Sequence, residues 1–260
     1  MTAEIVERVR RSARYRDVDA ALVGRLAAEE LPRSRNAEDA VKRVKRRLHQ
    51  AVGAFRGAAV AGGAWASDLA DPGLRAACIE AMRTHASTRE RINNLERFYP
   101  GIWEHTGVPR SILDLGCGLN PLALPWMAIG KAHYAAIDVD ERPLGVVRQF
   151  LAAVGQPHDA RAADLVATVP ARSADLALLL KLVTTLDRQD SDAATRLLRG
   201  LRVRHAVVSF ATRSLGGRGR GMERTYRERL ERLVTDADRV SGMAEASVPG
   251  ELVFVLTLDG

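Results

Sequence analysis

Cysteine is nearly absent: Cys78 and Cys117 are the two in 260 residues, they stand far apart, and no apolar leader-like stretch precedes them. That excludes a disulfide-stapled secreted scaffold and makes a reducing cytoplasm the expected location. Metal-ligand spacings are missing too. The six histidines, at 49, 85, 105, 133, 158 and 205, pair neither with one another nor with the cysteines at zinc spacing, so no metal is expected. No run is long and apolar enough to span a bilayer, so no membrane partner is expected. What the chain does have is 47% hydrophobic residues, enough for one large domain or a standard domain with a smaller one, and a formal net charge of +7. The first sixty residues carry fourteen Lys and Arg against eight Asp and Glu, so +6 of that charge sits there. A basic segment of this kind suits a polyanionic substrate gripped at its phosphates. For any single arginine, a solvated helix face is the competing reading.

From Thr2 to about His105 the pattern is helical. Ala40-Val41, Val44, Leu48, Ala51-Val52 and Phe55 recur at three and four residues, with Lys42, Arg43, Lys45, Arg46 and Arg47 on the other side. Pro32, Gly62-Gly63 and Asp71-Pro72-Gly73 break the series into short helices. Ser87-Thr-Arg-Glu90 reads as a reciprocal cap opening a helix continued by Ile92, Leu95 and Tyr99. After Gly107-Val-Pro109 strands alternate with helices. They are expected at Ser111–Leu115, Tyr134–Ile137, Arg161–Asp164, Ala174–Leu180, His205–Phe210 and Leu252–Leu258, a doubly wound α/β sheet. The spacing therefore predicts an N-terminal helical, basic domain over 1–106 and a Rossmann-like domain over 107–260.

The chemistry gathers where strands end. Ser111-Ile-Leu-Asp-Leu-Gly-Cys-Gly-Leu-Asn-Pro121 is an apolar strand running into a glycine turn, and Tyr134-Ala-Ala-Ile-Asp138 is a second strand ending on a carboxylate about 20 residues after that turn, the spacing with which an acid grips a ribose. Asn120-Pro121 stands where a dinucleotide fingerprint has its third glycine, so a ligand without a pyrophosphate fits better. The strand, Asp114, the glycine pair and Asp138 resemble motifs I and II of class I methyltransferases, whose cofactor is S-adenosylmethionine. A tight strand-to-helix turn in some other α/β protein is the competing reading. Asp164 and Lys181 follow the third and fourth strands. Asp164 is also readable as a turn aspartate, and Lys181 either orients a base or faces solvent. Four glycines and three arginines between Arg213 and Gly221 form a segment whose backbone can follow a ligand while guanidinium groups pair with phosphate or stack on bases.

Five blocks together resemble the aminoglycoside-resistance 16S rRNA methyltransferases of the Arm/Rmt type: His85–Arg91, Asp114–Ala123, Asp164, Leu180-Lys181-Leu182 and Val208–Glu223. The similarity runs over nearly the whole chain. It implies a class I S-adenosylmethionine-dependent methyltransferase fold with an N-terminal helical domain, and methylation of N7 of guanosine 1405 in the A site of 16S rRNA within the 30S ribosomal subunit, which blocks kanamycin and gentamicin. By the same resemblance the cofactor is held by Phe55, His85, Ala86, Ser87, Arg91, Gly116, Asp138, Asp164, Leu165, Leu180 and Gln189, with Arg91 on the methionine carboxylate. Lys181, Arg213, Arg218, Arg220, Met222 and Glu223 are candidates for holding the target base, and Lys42, Arg43, Arg46 and Arg47 for docking on RNA. Some relatives have alanine in place of Gly116, and the basic N-terminal positions align too loosely to transfer one by one.

No catalytic residue is expected. Guanine N7 carries an in-plane lone pair at neutral pH, so attack on the sulfonium methyl needs alignment and desolvation rather than a general base. The Asp/Asn-Pro-Pro-aromatic motif of exocyclic-amine methylases is absent, with Lys181-Leu-Val-Thr184 in its place, and Cys117 lies in the cofactor turn rather than where a C5-methylase nucleophile belongs. Two alternatives stay open: a small-molecule methyltransferase whose basic helices form a lid, and a noncatalytic RNA-binding or ribosome-assembly protein. A monomer is the simpler expectation for a substrate as bulky as 30S.

Overall fold

The computed structural model describes residues 1–53, 65–211 and 220–259, with the backbone alone at 220–221. Three N-terminal helices, α1 (Thr2–Arg10), α2 (Ala20–Glu30) and α3 (Ala37–Leu48), pack around Ile5, Val9, Leu22, Leu26, Val44 and Leu48. Two of them open on side-chain caps: Asp19 accepts from the Ala21 amide, and Asn36 from the Asp39 amide at 2.9 Å. A wide turn, His49–Gly53, closes this unit. Next come α4 (Pro72–Arg83), α5 (Ala86–Arg89) and α6 (Leu95–Thr106). Asp71 caps α4 from the Leu74 amide at 2.8 Å with Pro72 in the first turn, and Gly107 ends α6 at φ +68°.

Among the described residues seven strands form one sheet: β1 (Ser111–Leu115), β2 (His133–Asp138), β3 (His158–Ala162), β4 (Ser173–Leu180), β5 (Arg202–Ala211), β6 (Val240–Ala246) and β7 (Glu251–Leu258). Their order is β3-β2-β1-β4-β5-β7-β6, all parallel except β7, which runs against both its neighbours. The chain winds outward from β1 in both directions, so β1 and β4 flank the switch point at which α/β sheets hold ligands. Helices α7 (Leu124–Met127), α8 (Glu141–Ala153), α9 (Val183–Asp187), α10 (Ala193–Gly200) and α11 (Arg220–Ala237) fill the connections.

The period of two along β1 sorts its residues: Ile112 faces a core shared with α4, α6 and α8, while Leu113 and Leu115 face one shared with α9, α10 and α11. The interior therefore divides differently from the expected boundary at 106. Phe98, Tyr99 and Ile102 of α6 belong to the sheet's own core, and among the described residues a separate one is formed by the helices of residues 5–52, against which Val139 packs. Two strand expectations also change. The third strand runs His158–Ala162 rather than Arg161–Asp164, leaving Asp164 beyond its end, and β6 was not expected at all. The reciprocal cap at Ser87 does not form: the Ser87 hydroxyl meets His85 Nδ1 at 3.0 Å, Glu90 binds Lys181, and a tight turn at Ile92–Asn94 separates α5 from α6.

Candidate functional site

At the end of β1 the backbone turns through Gly116 (φ +65°) and Gly118 (φ +50°), values that side chains make strained. Two side chains also crowd the turn. A Cβ on Gly116 would lie 2.8 Å from Leu182 Cδ1, and one on Gly118 would lie 2.7 Å from His85 Cε1. The turn thus lets His85 and Leu182 close in from either side. At the end of β2, Asp138 takes three backbone amides: Gly118 at 2.8 Å on one oxygen, Val139 at 2.7 Å and Asp140 at 3.0 Å on the other. A carboxylate has about four acceptor positions, so among the described residues one, on the oxygen facing Gly118, is left for a ligand hydroxyl. Burial raises the carboxyl above its ordinary range, while the amides pull the other way.

Gly116, His85, Leu182 and Asp138 line one cleft, whose open space, mouth and adjoining solvent included, is about 770 Å³. Of the residues expected to hold a cofactor, it brings together His85, Ser87, Gly116, Asp138, Asp164, Leu165, Leu180 and Gln189, with Lys181 among them. Burial pushes the His85 imidazole down to about 4, so at neutral pH the ring is uncharged. A hydroxyl acceptor at one end, apolar Leu165 and Leu180 walls and a glycine turn without side chains match the needs of a nucleoside with a short polar tail, so the residues present fit S-adenosylmethionine. Phe55 lies outside the described residues, and Ala86 is half-buried without lining the cleft.

Arg91 is placed differently from the expectation. It is buried beneath the cleft, with Nε and Nη2 each 2.9 Å from a Glu251 oxygen, Nη1 2.6 Å from Asn120 Oδ1, and the guanidinium 4.1 Å from the Phe98 ring centre. A fork already closed on a carboxylate is not turned toward the cleft. Its geometry instead fastens the glycine turn, through Asn120, to β7. Burial alone would raise Glu251, but Arg91 and Lys181 hold it below the usual carboxylate range. Asn120 also donates to Asp114 at 2.9 Å, and the Tyr134 hydroxyl donates to the same Asp114 oxygen at 2.7 Å. The other Asp114 oxygen has no partner among the described residues, and burial pushes this carboxyl up to about 6.

Lys181 neither faces solvent nor points away from the site. At φ +59° its backbone is strained, its amide is tied to Ser209, and its ammonium reaches Glu90, the Ser87 carbonyl at 3.1 Å and Glu251 at 3.3 Å. The N-terminal candidates divide. Lys42 and Arg46 are exposed, Lys42 beside Glu38, whereas Arg43 pairs with Glu30 at 2.6 Å and Arg47 with both Glu29 and Glu30. The last two join α3 to α2, with Arg43 still partly exposed, so their charge is shared with Glu29 and Glu30. Arg213 and Arg218 lie outside the described residues, as does the Arg220 side chain. Met222 is half-buried and Glu223 exposed in the first turn of α11.

Sequence reasoning expected the helical side to reach the cleft through Phe55 and His85–Ser87 but missed three earlier residues. Ala51 and Val52 line it, and Arg25 of α2 binds both Asp164 and Gln189. It also missed Asp140, a lining residue that caps α8, although an aspartate two positions after Asp138 and just before a helix was a readable signal. Among the described residues no group of three His, Cys, Asp or Glu could hold a metal ion, and no helix is long and apolar enough to cross a membrane.

Comparison with known proteins bears on this site. The ribosomal RNA methyltransferase (FmrO) family matches residues 11–255. The chain is 38% identical to a 16S rRNA (guanine(1405)-N(7))-methyltransferase of Frankia casuarinae, covering 96% of this chain and 91% of that one, and 35% identical to one of Micromonospora echinospora, covering 97% and 95%. Among solved structures it is similar to 16S rRNA methyltransferase RmtF in complex with S-adenosyl-L-homocysteine, with a TM-score of 0.85, 34% identity, and coverage of 99% and 98%.

Proposed function

Because this chain belongs to the ribosomal RNA methyltransferase (FmrO) family, we propose that it transfers a methyl group from S-adenosylmethionine to N7 of guanosine 1405 of 16S rRNA, acting in the cytoplasm as a monomer on assembled 30S subunits. The observation that carries this reading is the meeting of Gly116, Asp138 and Asp164 in one cleft, in a chain similar along nearly its whole length to enzymes named for that reaction. The donor supplies an electrophilic methyl on a sulfonium. The protein's part is to align and to exclude water. Asp138 offers its remaining acceptor position to a ribose hydroxyl, Leu165 and Leu180 flank a purine, and the uncharged His85 adds no positive charge beside a cation. No described residue need remove a proton, since N7 reaches the methyl as a free lone pair. The Arg213, Arg218 and Arg220 segment is assigned to holding the unstacked guanine, with Lys42 and Arg46 of α3 meeting phosphates.

Primer extension after reductive cleavage of 16S rRNA from cells expressing the protein tests the reading. One lesion at guanosine 1405, with kanamycin and gentamicin resistance and retained apramycin sensitivity, is expected. An unmodified 1405 refutes it, and a lesion at the neighbouring adenosine reassigns the target.

A further inference from the structure

Resting on that reading, we propose that Arg25 is a positioning residue for the adenine end of the cleft: from α2 it fixes the Asp164 carboxylate and the Gln189 amide that would face the purine, and so ties their alignment to the N-terminal helices. Arg25 Nε lies 2.6 Å from Asp164 Oδ2 and Nη2 lies 3.3 Å from Oδ1, while Nη2 is also 2.9 Å from Gln189 Oε1. One planar fork therefore holds two cleft-lining groups that come from separate connections of the sheet.

The pair is well shielded. The Asp164 side chain is 2% exposed and that of Arg25 17%. Among the described residues the other donor to the Asp164 carboxylate is the Val166 amide, 3.0 Å from Oδ1. Oδ2 thus keeps one acceptor position, which an exocyclic amine can fill, and the orientation of that position is set by Arg25. Removing Arg25 would leave a buried carboxylate held by one amide and free to rotate.

The same fork is anchored on its far side. Nη1 lies 2.9 Å from Glu29, Glu29 is bound by Arg47 of α3, and Arg47 Nη2 reaches the Gln189 carbonyl at 3.4 Å. Two helices thus converge on the segment that ends α9. The N-terminal unit also meets the sheet layers through Val139, which packs against its core, and through a backbone bridge in which the Asp19 amide donates to the Val139 carbonyl at 2.8 Å and the Glu141 amide to the Asp17 carbonyl at 2.8 Å. The charged contacts of Arg25 and Arg47 form a second junction, at the far end of the cleft.

Calorimetric titration of wild type, Arg25→Gln and Arg25→Lys with S-adenosylhomocysteine, and with S-inosylhomocysteine, which carries a carbonyl in place of the purine amine, tests the proposal. Wild type should prefer the adenine ligand, because an acceptor aimed at an amine rejects a carbonyl. Arg25→Gln should weaken S-adenosylhomocysteine about tenfold or more while changing S-inosylhomocysteine far less, so that the preference collapses. Arg25→Lys, charged but without the fork, should fall between. Equal loss for both ligands would mark Arg25 as merely structural and overturn the proposal, as would an undiminished preference in either variant or its absence in wild type. Melting curves establish that the variants fold, and if Arg25→Gln does not, Arg25→Lys decides on the same criterion. Wild type that binds neither ligand would sink the methyltransferase reading itself, a failure distinct from loss of the Arg25 role alone.

Discussion

Asp138 is the most exacting place to perturb. In Asp138→Ala the Gly118, Val139 and Asp140 amides lose their acceptor together, and the ligand loses the one position left for its hydroxyl. A hydrogen bond to a charged acceptor contributes about 1.5–3 kcal/mol, so affinity for S-adenosylhomocysteine should fall by roughly ten- to 150-fold. Orphaning the Gly118 amide should also cost about 1–3 kcal/mol of stability. Asp138→Asn is expected to be almost as damaging despite its near-identical shape. If its oxygen keeps the Val139 and Asp140 amides, its NH₂ faces the Gly118 N–H, donor against donor. Isothermal titration calorimetry supplies the affinities and a melting curve the stability. An Asp138→Ala variant that binds with wild-type affinity would refute the placement of the ribose at this carboxylate.

Glu251→Gln, which breaks the buried pair with Arg91, should destabilise the fold by about 3–5 kcal/mol in chemical denaturation, and a loss below 1 kcal/mol would contradict the bridging role given to Arg91. Asp114 titrates in the other direction. Its carboxyl is raised from 3.8 to about 6, so the folded state keeps a proton that the unfolded chain releases, and stability should decline as pH rises from about 4 to 6, by about 3 kcal/mol. In Asp114→Asn that component of the slope should vanish, and a wild-type slope in the variant would rule Asp114 out as its source. Arg213→Ala should leave S-adenosylhomocysteine affinity unchanged and reduce methylation of 30S subunits in a radiolabelled-methyl assay, and undiminished turnover would remove that arginine from substrate binding.

The central strands were legible because they are covered on both faces: Leu176–Leu180 is continuously apolar and buried. The edges were not. β3 alternates half-buried and exposed positions and carries His158, Asp159 and Arg161, while β6 contains Gly242, two alanines and the exposed Met243, so neither shows the apolar run that marks a strand. In the site, Gly116 and Asp138 could be found from spacing alone, since strand geometry brings the end of β2 beside the turn after β1. Arg25 could not, because its partner Asp164 is 139 residues away and nothing local separates it from the other arginines of the first sixty residues. Nor does an amphipathic period tell which cations face water. Arg43 and Arg47 are decided by Glu29 and Glu30, which belong to a different helix.

The separate interior of residues 5–52 gives the N-terminal helices a packing of their own. Nonpolar packing inside that unit can change without disturbing the packing beneath the glycine turn, since each is sealed by its own side chains. Among the described residues, change within that unit meets the cleft at Ala51 and Val52, which line it, at the backbone bridge between Val18 and Asp140, and at the charged links from Arg25 and Arg47. Descendants of such a chain can rework the outer faces of these helices while keeping the cleft, provided those junctions are redrawn in step.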